Sequence, residues 1–415
     1  MSFRSHLRAA AGGLPPAFWV LWWGVLLNRA ASFVVGFLAL YLVEERGFGP
    51  AAAGRVLALY GVGGILASLL GGVLADRVGR RRTMLLSLAA SATAVTALAF
   101  ARAPALLAAL TFLAGASGQM YPPALNAAVA DVVRFEERPR AFGLVYWGAN
   151  VGFGLGYAIA GLVSTRSLSA LFLLDAATTT GFALLVLFRL PETRPAHAGR
   201  QAALAGLGRV LSDRPFMVFL ALNLMALLVF TQWELMLGVD VTAHGVGRGG
   251  YALLLWLNCA VVILIQPVIG PRLRARDPTS ALVASSLFLG LGYGLNAVSS
   301  ALPLYVVGVA IWTLGEAIGM PVASALAAAL APPSLRGRYQ GVYGLTFSLA
   351  YAVSPVLSGE LAARCGARAV WLACLAMGML VAAGHLAAAG PRRRRLAERA
   401  RGEPDPCPDV EQPAA

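Results

Sequence analysis

Residues 72–82 read Gly72-Val73-Leu74-Ala75-Asp76-Arg77-Val78-Gly79-Arg80-Arg81-Arg82, with long apolar runs on either side. An acid, a glycine and a run of cations between two stretches of about twenty apolar residues describe a short polar turn joining two membrane-crossing helices. Asp76 closes the first helix and Arg80 opens the second, so the turn brings opposite charges together at the membrane surface.

The same pattern recurs outward in both directions. Apolar stretches fall at 17–43, 51–75, 83–101, 104–131, 141–163 and 168–189, and again at 215–241, 249–272, 279–299, 302–330, 338–363 and 368–390. Apolar residues make up 59% of the chain and charged residues 13%, and mean hydropathy is +0.73, too little polar surface to cover a soluble globule. An all-α membrane protein of about twelve spans is expected. The first stretch exceeds a signal-peptide core and is read as a retained span.

The two groups of six repeat. An offset of 198 residues pairs Gly72 with Gly270, Pro123 with Pro321, Arg138 with Arg336, Arg140 with Arg338, Gly143 with Gly341 and Gly161 with Gly359. The expected division is a cytoplasmic N-terminus (1–16), a six-helix bundle (17–190), a polar cytoplasmic linker (191–214), a second bundle (215–390) and a basic, disordered tail (391–415) that anchors on anionic lipid.

The formal charge is +14, and all 33 basic residues are arginine. With the N-terminus inside, 25 of them lie in cytoplasmic segments and 8 elsewhere, which places both termini in the cytoplasm of a plasma or inner-membrane protein. Charge parcelled into loops in this way argues for a membrane and against nucleic acid. Without lysine there is no P-loop. Cys259, Cys365, Cys374 and Cys407 form no CxxC, the four histidines are scattered, and no HExxH or GxSxG occurs, so neither a metal, a cofactor nor an enzymatic activity is expected.

The loop at 72–82 resembles the signature loop of the major facilitator superfamily at nearly every position. That resemblance implies two six-helix bundles and a conformational latch made by Gly72, Asp76, Arg77, Gly79, Arg80 and Arg81, with Arg80 or Arg81 tied to Asp131. The fifth stretch, Gly148 to Gly161, resembles the fifth-span motif of the twelve-span drug:proton antiporters, with Tyr157 and Ala160 in place of a proline and a glycine. Gly148, Gly152 and Gly156 share one helical face, and with Gly161 they suit close helix packing.

Charges inside the spans are the candidates for proton coupling. Glu316 lies well inside the tenth span, which lines the central cavity in the resembled family; burial makes it the leading proton-exchange candidate. Arg29, near the middle of the first span, is paired in expectation with Asp175, and Glu234 is a second acid nearer the outer end. His385 is read as a lipid-side or packing residue. Cavity candidates are Asn28, Gln119, Tyr121, Asn126, Asn223, Gln232 and Trp233.

The function expected is proton-coupled export of small amphipathic or drug-like compounds by a monomer, with small-molecule substrate and protons as partners. Proton-driven import of a metabolite is the alternative. A non-transporting receptor or scaffold would have no need of charges such as Arg29 and Glu316 in the membrane.

Overall fold

Proline and glycine cut the chain into helices where the apolar runs end. The computed structural model describes residues 13–134, 137–193, 207–274, 277–332 and 335–400, and all regular structure among them is helical. In order these are α1 (Pro16–Arg29), α2 (Val34–Leu40), α3 (Pro50–Arg77), α4 (Arg80–Phe100), α5 (Pro104–Gly118), α6 (Tyr121–Val132), α7 (Arg138–Val163) and α8 (Leu168–Arg189). Then come α9 (Leu207–Ser212), α10 (Arg214–Phe230), α11 (Met236–Ala243), α12 (Gly247–Arg274), α13 (Pro278–Gly294), α14 (Leu302–Leu330), α15 (Arg336–Cys365), α16 (Ala367–Ala387) and α17 (Ala389–Ala400). Among the described residues, nine helical segments are long and apolar enough to cross a bilayer.

Three apolar stretches are interrupted instead of continuous. The first breaks between Arg29 and Val34, the fourth at Gln119–Met120 ahead of Pro122 and Pro123, and the seventh through a 3-10 turn at Thr231–Trp233. Proline lacks the amide hydrogen that would continue the fourth. Each break frees backbone groups that lipid cannot satisfy, so side chains must. Asp175 of α8 does this for the first, accepting the N–H groups of Phe33 and Val34.

The sequence repeat reappears as hydrogen bonds. Ser87 of α4 donates to the carbonyl of Ser117 at 2.6 Å, and Ser285 of α13 donates to the carbonyl of Gly315 at 2.7 Å. Both donors and both acceptors are 198 residues apart.

Helices before residue 193 pack chiefly on one another, α4 on α8, α3 on α5, and α1 on α7 and α8. Those after 207 do likewise, α13 on α14 and α16, and α12 on α14. Two seams join the sets, α3 against α15 and α7 against α12. Small residues make the first seam tight: a Cβ on Gly54, Gly61 or Gly359 would meet the backbone of Pro355, Ala352 or Pro50. Ion pairs crossing the seams gather at one end, where Arg248 holds Glu44 at 2.6 Å and Glu45 at 3.5 Å and Arg55 pairs with Glu360.

The expected disordered tail is corrected for residues 389–400, which form α17; residues 401–415 lie outside the described residues, as do 1–12 and 194–206. Its arginines explain the order. Arg392 donates to Thr279 Oγ1 at 2.6 Å, Arg393 pairs with Asp277 at 2.5 Å and Arg395 with Asp213 at 3.4 Å. Asp213 and Asp277 also cap the N-termini of α10 and α13, so α17 is fastened to helix ends.

Candidate functional site: a central aromatic cavity

Between the two sets lies a cavity of about 470 Å³. Its chemistry is set by Arg29 at the end of α1, Gln119 after α5, Asn150 of α7, Asn258 of α12 and Glu316 of α14. Aromatic side chains, including Tyr60, Phe153, Trp233 and Trp312, supply most of the remaining wall. Tyr146, also on the wall, is 53% exposed. An apolar chamber with a few convergent polar groups suits a small amphipathic molecule.

The helix α7 has two working faces. Gly148, Gly152 and Gly156 meet α1: a Cβ on Gly148 would stand 2.7 Å from Trp22, and one on Gly152 would stand 2.7 Å from Arg29 Cβ and 2.8 Å from the Leu26 carbonyl. Gly161 looks the other way, toward Ala252 of α12. Tyr146, Asn150, Phe153 and Tyr157 recur at helical spacing and form cavity wall. Packing and lining thus occupy opposite sides of the same turns.

Glu316 accepts a 2.6 Å hydrogen bond from Asn258 Nδ2, and Asn258 also reaches Thr313 Oγ1 at 3.1 Å. Glu316 also borders a second space of about 30 Å³ that Asn223, Ser285 and His385 line. Among the described residues it is the only acid on the cavity wall.

The expected Arg29–Asp175 pair is not formed. Asp175 gives one oxygen to Phe33 and Val34 and the other to Thr179, because the broken first span leaves amide donors that compete for it. The Arg29 guanidinium lies over the Phe153 ring instead, 5.2 Å from its centre. Asn28 and Tyr121 are withdrawn from the cavity into the same network: Tyr121 donates to Asn28, and Asn28 donates to Thr179 at 2.9 Å. This network borders a polar space of about 40 Å³ that shares Arg29, Tyr60 and Gln119 with the cavity.

Other expectations are redistributed. Glu234 is not solvated at an outer end; it is 4% exposed at the break of the seventh stretch, with no hydrogen-bond or ion-pair partner for its carboxylate among the described residues. Gln232 donates to Ser354 and Asn223 to Thr346, joining α10 and the turn after it to α15, while Asn126 is exposed away from the cavity. His385 is buried and bonded to Arg392, not lipid-facing. Trp233 and Gln119 do line the cavity.

Of the latch residues, the side chains of Gly72 and Asp76 lie outside the described residues. Gly79 makes the turn with φ +110°, which a side chain rarely adopts. Arg80 Nε meets Asp131 Oδ2 at 3.1 Å; Arg81 does not, donating to the Leu187 carbonyl at 2.6 Å, and Arg77 is exposed. Glu192, read only as linker, accepts the Arg80 N–H at 2.9 Å and so caps α4, where glycine at the cap position cannot.

Asn258 is the principal residue missed. It is the one strongly polar side chain in the run Leu253–Ile265, a signal as plain as Glu316, but it lies in the eighth stretch, whereas the cavity candidates come from the first, fourth and seventh.

The Major Facilitator Superfamily profile matches residues 21–282 and 241–412. A Na(+), Li(+), K(+)/H(+) antiporter of Planococcus maritimus is 26% identical over 324 residues, covering 70% of this chain and 76% of that protein. Multidrug resistance protein MdtH of Aeromonas salmonicida (strain A449) is 26% identical over 320 residues, covering 74% of this chain and 78% of that protein. The solved peptide transporter POT in complex with sulfate superposes with a TM-score of 0.78 at 17% identity, over 95% of this chain and 99% of that one, a likeness of fold. On the profile match along most of its length, the chain belongs to the Major Facilitator Superfamily and is a multi-pass membrane transporter.

Proposed function

We propose that this chain exports small amphipathic or drug-like compounds across the cell membrane in exchange for protons, by alternating access between two six-helix bundles that together make twelve spans. Three of those spans are the interrupted ones. Positive-inside arginines orient the Arg80 end to the cytoplasm, so the cavity, tied shut at the Arg248 end, faces inward here.

The observation that carries the reading is Glu316, a carboxylate at the aromatic cavity wall whose hydrogen-bonding partner is an amide and not a cation. Such an acid can hold either a proton or a donor group of the cargo. A proton arriving from outside displaces the cargo's donor, and loss of that proton inside restores the acceptor. The relatives named as a cation/H(+) antiporter and a multidrug resistance protein lean the same way.

The test is accumulation of a lipophilic dye in everted vesicles under an imposed proton gradient. Wild-type vesicles accumulate dye, and Glu316→Gln vesicles with equal protein in the membrane do not. Undiminished gradient-driven transport in Glu316→Gln would refute the assignment. Proton-driven uptake of a nutrient by intact cells would replace export with import.

A further inference from the structure

Near the strap of arginines after α16, Arg214 at the start of α10 stands beside an apolar groove. Between the first turns of α10 and the end of α16 lies a space of about 500 Å³ lined by Val218, Leu222, Gly384 and Ala388, with Arg214 and Arg392 at its rim. Small residues on α16 create the trough: a Cβ on Gly384 would collide with Leu222, and Val218 is exposed on the opposite bank.

The two rim arginines differ. Arg392 is buried and spends its donors on Thr279 and His385. Arg214 is exposed and, among the described residues, has no ion pair or side-chain hydrogen bond. Its neighbour Asp213 does not compensate it, because that carboxylate accepts from the Phe216 N–H and Tyr339 and pairs with Arg395. From Arg214 to Leu222 the helix rises about 12 Å, close to the depth of one hydrocarbon leaflet. An exposed cation therefore stands at one end of an apolar groove that runs about 12 Å along α10.

We infer that this groove binds one anionic phospholipid, its phosphate on Arg214 and one acyl chain along Val218 and Leu222. Charge complementarity selects the occupant: a phosphate brings the oxygens a guanidinium fork takes, and a net negative headgroup carries no ammonium to oppose it. The lipid is thus held at the start of α10 and not by the run Arg392–Arg395, whose described contacts are with the protein.

The experiment is native mass spectrometry of the full-length protein released from nanodiscs holding equal amounts of phosphatidylglycerol and phosphatidylcholine with matched chains. Wild-type protein should retain the anionic lipid about fivefold over the zwitterionic one, the size of effect one interfacial cation gives. Arg214→Gln should bring that ratio to about one, Arg214→Lys should keep most of it, and Val218→Trp, which fills the trough, should remove both lipids. Unchanged preference in Arg214→Gln overturns the inference, as does equal retention of both lipids by wild type. Loss of the preference in Arg393→Gln with Arg214 intact overturns it too, since the strap would then be the anchor. Thermal unfolding of each variant in phosphatidylcholine alone checks that the fold is intact.

Discussion

Asp175 Oδ2 accepts the backbone N–H of Phe33 at 3.0 Å, so a carboxylate on α8 holds open the break between α1 and α2. The acid is not the counter-ion of Arg29; it supplies the acceptor the interrupted helix lacks, and Val34 uses the same oxygen at 3.3 Å.

Replacing Asp175 with valine should therefore cost stability before it costs chemistry. The Val34 N–H loses its acceptor in a place water reaches poorly, a loss of about 1–3 kcal/mol for the group left unsatisfied, while the Phe33 N–H keeps the Ala31 carbonyl at 2.9 Å. Thermal unfolding in detergent should show a lowered midpoint for Asp175→Val and a smaller change for Asp175→Asn, which keeps an acceptor oxygen. Equal midpoints for wild type and Asp175→Val would remove the capping role.

Gly152→Leu should displace α1 and with it Arg29. A Cβ there would already stand 2.7 Å from Arg29 Cβ, and larger side chains cost about 1–3 kcal/mol in packed interiors. Substrate binding should fall at least tenfold while Gly143→Leu, on open space of the same helix, leaves it unchanged. Titration of a fluorescent substrate on purified protein measures both.

Arg248→Gln should loosen the closed end. Cys259 lines the cavity and is buried, which makes it a reporter once Cys365, Cys374 and Cys407 are replaced. A membrane-impermeant maleimide added from the Arg248 side should label it faster in Arg248→Gln than in the Cys259-only parent. Identical rates would mean that the ion pairs with Glu44 and Glu45 do not keep this end shut.

Acid should release α17. The Arg393 guanidinium bonded to Asp277 holds that carboxyl below the usual carboxylate range. A depressed folded value contributes stability that is present above the unfolded value, near pH 4, and is lost as pH falls through the folded one. Hydrogen exchange in residues 389–400, corrected for intrinsic rates, should accelerate below about pH 4 in wild type and already be fast at pH 7 in Arg393→Gln. The pair is partly exposed, so salt should weaken it as well.

The sequence carried the helices, their order and the repeat, because hydropathy must match a bilayer along each span. Through the resemblance of the loop at 72–82 it offered Arg80 or Arg81 as the partner of Asp131, of which Arg80 makes the contact, and it singled out Glu316 because an acid within a long apolar run is conspicuous. It did not carry the division of labour among polar groups. Asn28, Tyr121, Asn223 and Gln232 are as polar as Asn258, yet they spend their hydrogen bonds between helices while Asn258 faces Glu316. Spacing along one helix cannot say which neighbour stands opposite.

What the residues alone settled is the solvent: with 59% apolar content and most charges gathered in the segments between apolar stretches, this chain folds against lipid, and the loop at 72–82 names the superfamily whose profile it matches. What only the assembled helices decided is which buried groups satisfy one another and which are left facing the cavity. Asp175 turned to the amides of a broken span and Arg29 to an aromatic ring. The reason is that hydrogen bonds between helices are settled by three-dimensional proximity, whereas burial in a membrane is settled by the length and composition of each segment.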